Sequence, residues 1–184
     1  TRKHHGRRFL DELAIAHRPD VIADREQFGH WEFDLVMFRK EFGKENVTSL
    51  VERISRFAVE LKNPDRQSKP VMEILIESLS PLLANARRSI TFDRGTEFTA
   101  WRHLKAGLGV DPWFCGPQPP WQKGTVENTN NRLRRYLPRK ADPNAFTNRY
   151  LTSICARLNA TPRKCLGYRT PAEIFRAKLM EGKP

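Results

Sequence analysis

An acid stands in the middle of the chain's clearest strand. Trp31, Phe33, Leu35 and Met37 alternate with Glu32, Asp34, Val36 and Phe38, the period of a half-buried β-strand. Asp34 therefore lies among apolar neighbours, where an uncompensated carboxylate costs several kcal/mol on an order-of-magnitude scale. Any fold that keeps this strand must bring a cation to Asp34: a metal, or an Arg or Lys from elsewhere in the chain.

The segments around it read as α/β. Val47 to Val51 and Phe57 to Leu61 are further strand candidates, with the polar Glu52-Arg-Ile-Ser-Arg56 as a hairpin turn between them. Val71, Ile74, Leu75, Leu79 and Leu82 recur at helical spacing and predict an amphipathic helix over 68–84. Ser89 to Phe92 and Val110 to Cys115 suit short strands, with a helix over 96–106 between them. Further helices are predicted over 121–137, ending at Pro138, and over 145–158. A last one opens at Thr170-Pro171, with Pro at the first helical position. Residues 9–28 give no clear period, although Pro19 before Asp20 suits a short helix. This order predicts an α/β domain with a mixed five-stranded sheet flanked by helices, its first three strands antiparallel. Residues 1–28 are expected to be a basic linker or N-terminal extension, and 29–184 the core with a basic helical C-terminal part.

Two further acids recur in informative places. Asp93 follows the short strand 89–92 and precedes Gly95, a position that suits a turn former as well as a ligand. Glu127 lies on the helix after the Pro-rich stretch Gly116-Pro-Gln-Pro-Pro120. Val126, Leu133 and Leu137 form that helix's buried stripe, and Glu127 is about 100° around from Val126, on the side of Arg134. One acid mid-strand, one at a strand end and one on a later helix form a pattern suited to hard divalent cations, which take oxygen ligands and act on phosphodiesters. No nucleophile elbow and no phosphate-binding G-x-x-x-x-G-K-[ST] loop appears, so neither serine hydrolysis nor ATP hydrolysis is supported, and no nucleotide cofactor is expected.

Charge sharpens the reading. The chain has 184 residues, about one domain, and a formal net charge of +12. Residues 1–118 hold 19 basic and 17 acidic residues, whereas 119–184 hold 14 and 4. A strongly basic block joined to a near-neutral one is an electrostatic footprint for nucleic acid. Arg132, Arg134, Arg135, Arg139 and Lys140 are its densest cluster and suit phosphate contacts. No apolar run reaches the length of a membrane span, and no secretory leader is evident, so no membrane partner is expected. Cys115, Cys155 and Cys165 are odd in number and lack metal-site spacing, which suits reduced thiols in a cytoplasmic protein. The chain begins with Thr1 rather than Met and is expected to be a fragment of a longer protein.

At this point the residues resemble a known family. His30-Trp31-Glu32-Phe33-Asp34-Leu35-Val36, Leu50-Val-Glu-Arg-Ile-Ser-Arg-Phe57 and Thr91-Phe-Asp-Arg-Gly-Thr-Glu-Phe98 occur in order. Pro120-Trp-Gln-Lys-Gly-Thr-Val-Glu-Asn128, Asn131-Arg-Leu-Arg-Arg-Tyr-Leu-Pro138, Leu158-Asn159, Pro162-Arg-Lys-Cys-Leu-Gly-Tyr168 and Thr170-Pro171 follow. Over roughly residues 13–178 the chain resembles the catalytic domain of the insertion-sequence-thirty family of bacterial transposases, in the Asp-Asp-Glu retroviral-integrase superfamily.

The resemblance implies a ribonuclease-H-like fold, with Asp34, Asp93 and Glu127 as catalytic and metal-binding triad. It implies two magnesium ions, replaceable by manganese, that serve strand cleavage and strand transfer. It implies DNA as partner, both transposon ends and target, a homo-oligomer on that DNA, and a bacterial cytoplasmic, nucleoid-associated setting. Trp121, Gln122, Lys123 and Asn131 join the basic cluster as expected DNA-binding residues, the aromatic ring by stacking. Phe33 and Arg94 stand where the family usually has Gly and Asn. They carry a second reading, a catalytically decayed remnant that binds DNA or a partner transposase without chemistry, in which Arg94 pairs with Asp93 in place of metal. Phe33 itself is expected on the face of the strand opposite Asp34. A hydrolytic nuclease of the same fold is a third reading, opposed by the Pro120-Trp-Gln-Lys-Gly124 block.

Overall fold

The computed structural model describes residues 10–116 and 120–182. Its five strands are β1 (His30–Val36), β2 (Asn46–Glu52), β3 (Ala58–Asn63), β4 (Ser89–Phe92) and β5 (Asp111–Phe114), in sheet order β3-β2-β1-β4-β5. Alternation in the first three runs gives an antiparallel meander, with Asp34 opposite Ser49 and Ser49 opposite Glu60. β4 and β5 add in parallel on the other side of β1. Such a parallel pairing needs a crossover longer than a hairpin, and the chain between β3 and β4 supplies one.

The helices are α1 (Asp20–Ala23), α2 (Ser68–Leu79), α3 (Trp101–Leu108), α4 (Gly124–Leu133), α5 (Asn148–Ala160) and α6 (Pro171–Glu181). α2 stops sooner than the apolar spacing predicts: Ser80 still has helical backbone, but Pro81 after it has no N–H with which to continue the ladder. The helix expected from 121 begins at Gly124, after a 3-10 turn over Pro120–Lys123. Residues 96–98 likewise form a 3-10 turn before α3, which ends on left-handed Gly109. α6 has a full capping box between Thr170 and Glu173.

Strand alternation divides the chemistry between two faces. One face is apolar: Trp31, Phe33, Leu50, Ile90, Phe92 and Phe114 pack under Val71, Met72, Leu75 and Leu79 of α2 and Trp101 and Leu104 of α3. Phe33 touches Phe92 and Phe98 at 5.2 and 5.0 Å between ring centroids. Phe175 of α6 closes the edge of this core against Phe28 and Phe57. The other face carries Glu32, Asp34, Ser49 and Glu60, with Val36 and Val47 packed against Leu133, Leu151, Ile154 and Leu158 from the α4 and α5 side.

Residues 10–28 lie against this assembly. Leu10 and Leu13 pack on the main core, Ile22 is buried, and Ala14 bridges to Phe114. Gly29 joins this segment to β1 at φ +93°, where a Cβ would stand 2.2 Å from the Asn85 carbonyl oxygen. Only glycine fits there. All three cysteines are free. Among the described residues no helix is long and apolar enough to cross a membrane.

Candidate active site

The cation that the strand pattern demands for Asp34 is Lys123. Its Nζ lies 3.3 Å from Asp34 Oδ1 and 3.3 Å from Asp93 Oδ2, and donates to the Phe33 carbonyl at 3.1 Å. β1 and β4 are neighbours, so an acid in the first and an acid just past the second converge on one point. The side chains of Asp34, Asp93 and Lys123 are 30%, 45% and 10% exposed. Burial alone would lower the Lys123 pKa, but the two carboxylates outweigh it and hold the ammonium protonated above the ordinary lysine value.

The remaining oxygens are positioned locally. Asp34 Oδ2 accepts from Asn130 Nδ2 at 2.8 Å, and Asp93 Oδ1 accepts from the Gly95 N–H at 3.1 Å. Glu127 is exposed on α4 and lines, with Asp34, Asn130, Asn131 and Arg134, a cleft of about 340 Å³. Its pKa is raised, first by partial burial and then by the nearby negative charges of Asp34 and Glu32, with Lys123 opposing. As the side chains stand, no three His, Cys, Asp or Glu among the described residues converge into a metal cage.

Glu32, on the same face as Asp34, is a clasp. Its Oε1 takes Arg53 Nη1 at 2.7 Å and its Oε2 takes the Val126 N–H at 2.9 Å. It ties β1 to the first turn of α4 and so fixes where Glu127 emerges.

The residues expected at DNA divide into groups. Gln122 accepts from the Gly116 N–H at 2.9 Å and braces the turn before α4. Arg134 is pinned to the end of β1, donating to the Met37 carbonyl at 2.8 Å and lying over the Phe38 ring. Asn131, Arg135, Arg139 and Lys140 are exposed. Arg132 faces away from the acid cleft, on another side of α4. The Trp121 side chain lies outside the described residues. Arg94 does not pair with Asp93: its Nε donates to the Cys115 carbonyl at 3.0 Å and the side chain is exposed. The expected pairing fails because the end of β5 offers that guanidinium a carbonyl, while Lys123 reaches Asp93 from beneath. Phe33 is buried on the apolar face, as the strand period requires.

Sequence reasoning missed Asn130 and the inward course of Lys123. Asn130 had a readable signal, since it stands three residues after Glu127 and shares its helix face. Nothing local told that Lys123 would point at acids rather than at solvent.

No family model matches the chain. It is 38% identical over 166 residues to the transposase for insertion sequence element IS1086 of Cupriavidus metallidurans, covering 90% of this chain and 48% of that protein. It is also 38% identical over 161 residues to the transposase InsI for insertion sequence element IS30C of Escherichia coli K12, covering 88% and 41%. The chain thus spans about half the length, or less, of the curated relatives it matches. In fold it is similar to the catalytic core domain of BIV integrase, with a TM-score of 0.63 at 21% identity over 84% of this chain and 99% of that one. Over about nine tenths of its length the chain is thus similar to about half of each of these insertion-sequence transposases, and its fold is the ribonuclease-H-like one of an integrase core.

Proposed function

We propose that this chain is the catalytic core of a DNA transposase that cuts and rejoins phosphodiesters at Asp34, Asp93 and Glu127. The observation that carries the reading is the convergence of Asp34 and Asp93, from adjacent parallel strands, on a single positive charge. Glu127 lines the same cleft as Asp34. The donor set suits magnesium or manganese: carboxylate oxygens, joined by Asn130 Oδ1, which is buried beside Asp34 with no hydrogen-bond partner. Asp34, Asp93 and Glu127 would hold the two ions. Bound there, divalent cations supply Lewis acidity that polarises a phosphate and acidifies a water or DNA 3′-hydroxyl.

The chain's own groups prepare this chemistry. Lys123 offsets the charge of both aspartates and keeps them close together while no other cation does so. Asn130 orients the Asp34 carboxylate through its amide N–H. Glu127, whose proton affinity is raised, gains acidity as positive charge gathers at the aspartates. The two features behind a decayed remnant lose their force, since Arg94 turns to Cys115 and Phe33 serves the opposite face. DNA ends and target DNA are the substrates on this reading, multimers on DNA the working form, and the bacterial cytoplasm beside the nucleoid the setting.

Asp34→Asn, Asp93→Asn and Glu127→Gln should each reduce manganese-dependent nicking of supercoiled plasmid by about a hundredfold or more, equivalent to nearly 3 kcal/mol of barrier. Duplex binding should stay within about threefold of the parent. Full nicking by any one of the three variants would remove that residue from the triad.

A further inference from the structure

Behind α4, away from the acid cleft, lies a cavity of about 790 Å³. Arg25, Arg56, Arg132, Arg163 and Lys164 line it, and no Asp or Glu does. These five cations come from four separate places: the segment before β1, the β2–β3 turn, α4, and the connection between α5 and α6. Such convergence of like charge is unfavourable unless an anion offsets it.

The local structure is built around these side chains at a cost. Among the described residues, three non-glycines adopt left-handed backbone, and two of them are Arg25 (φ 60°) and Arg56 (φ 62°). Each such residue costs about 1 kcal/mol or more, and strain of this kind gathers at ligand clamps. The turn that carries Arg56 is held firmly, with Glu52 accepting from the Ile54 and Ser55 N–H groups at 3.0 and 2.7 Å. Arg56 Nη1 then reaches Thr125 Oγ1 on α4 at 3.0 Å.

Arg163 gives an independent sign of a missing partner. It is only 7% exposed, and its Nη2 donates to the Leu158 carbonyl at 3.1 Å, yet its buried Nε has no acceptor. Such a donor is costly to bury unsatisfied. Arg25 and Arg163 hold their protons less firmly than free arginines, first because of burial and then because Arg56 and Arg53 crowd the one and Arg132 the other. An anion in the cavity would relieve both.

We propose that this cavity is a second DNA-phosphate site, which grips backbone phosphates other than the one being cleaved. The proposal rests on the transposase-core reading for its choice of DNA. Arginine forks suit phosphate oxygens. Lys164, exposed at the rim, and Arg132, half-buried, leave the cations accessible to a strand outside. α4 separates the two sites: Thr125, Asn128, Thr129 and Arg132 face this cavity, while Glu127, Asn130, Asn131 and Arg134 face the acid cleft. A helix is about 10 Å across, so DNA held here would be placed beside the cleft rather than in it.

The test measures binding of a 30-base-pair duplex to the full chain by fluorescence anisotropy across a salt series. Arg132→Gln combined with Lys164→Gln should weaken binding about tenfold near 0.1 M salt. It should also flatten the slope of log Kd against log salt by about 1.8, the value for two lost phosphate contacts. Lys69→Gln combined with Arg102→Gln removes the same charge from exposed positions on α2 and α3 and should leave the slope unchanged. Cys165, exposed on the cavity wall, supplies a readout without mutation, because duplex should slow its alkylation by N-ethylmaleimide severalfold. If wild type binds duplex but the Arg132/Lys164 variant binds equally well and Cys165 is not shielded, the second site is wrong and the transposase reading stands. If inorganic phosphate at matched ionic strength shields Cys165 as fully as duplex does, the cavity takes small anions and the DNA assignment is overturned. If wild type binds no duplex at all, it is the transposase reading itself that fails.

Discussion

The ammonium of Lys123 sits between two carboxylates that would otherwise repel across a half-buried gap. Lys123→Met removes the partner that, among the described residues, the two acids share. Both acids are partly exposed, so water screens much of the loss and about 1–2 kcal/mol is expected rather than the larger penalty of a fully buried pair. For a domain of this size that lowers the melting temperature by about 4 °C in EDTA. Millimolar manganese should restore most of it, because a divalent cation replaces the missing charge between the same oxygens. Melting curves followed by circular dichroism check both halves. A variant that melts like wild type in EDTA would show that the acids do not depend on the lysine. Residue type and place alone single out Asp34, Asp93 and Glu127 as candidates, and the first two do meet at one ammonium. The lysine that carries it was not legible in this way, because a basic residue in a basic, Pro-flanked stretch looks the same in sequence whether it points outward or inward.

Elements were legible where a period was. β1, β2 and β3 fall within two residues of the spans that alternation predicts. The segment 10–28 gave no period because it binds the core through isolated anchors, Leu10, Leu13, Ile22 and Phe28, on short 3-10 turns and one turn of helix. The cationic cavity was invisible for a related reason: its arginines are scattered along the chain from Arg25 to Arg163 and meet only through the fold. The meander has its own testable property. Asp34, Ser49 and Glu60 form a row across β1, β2 and β3, and Glu60 is buried with one oxygen bonded to Ser49 Oγ at 3.0 Å. Burial, helped by the charge on Asp34, pushes the Glu60 carboxyl well above the usual range. The folded chain therefore holds this proton more tightly than the unfolded chain. Stability from this group is complete below the ordinary glutamate value and is lost as pH rises through the folded one. Glu60→Gln should accordingly stabilise the protein by about 1 kcal/mol at pH 8 and change it little at pH 4. Urea midpoints at the two pH values measure the difference, and an equal shift at both would discard the buried-proton explanation.

The sheet keeps the aromatic core and the acid cleft on opposite sides. The aromatic core under α2 and α3 contains Phe33, whereas Asp34, the next residue, opens into the cleft beside α4. Phe33→Ala should cost about 3–5 kcal/mol through the cavity it leaves among Phe92 and Phe98. Melting should fall by about 10 °C or more. Nicking per folded molecule, assayed at low temperature, should change by less than threefold. A selective loss of nicking in folded Phe33→Ala protein would show that the apolar face sets the cleft geometry directly.

Glu32 has a consequence for descent. It stands two residues from Asp34 and faces the same way, but both its oxygens are engaged, one by Arg53 and one by the Val126 N–H. On the proposed reading, a lineage that stops moving its element is released from keeping Asp34, Asp93 and Glu127. It is not released from keeping Glu32 and Arg53 for as long as the protein must fold. Among drifting copies of such genes the three acids should vanish first and this pair last, so that its presence dates the persistence of the fold and not of the reaction.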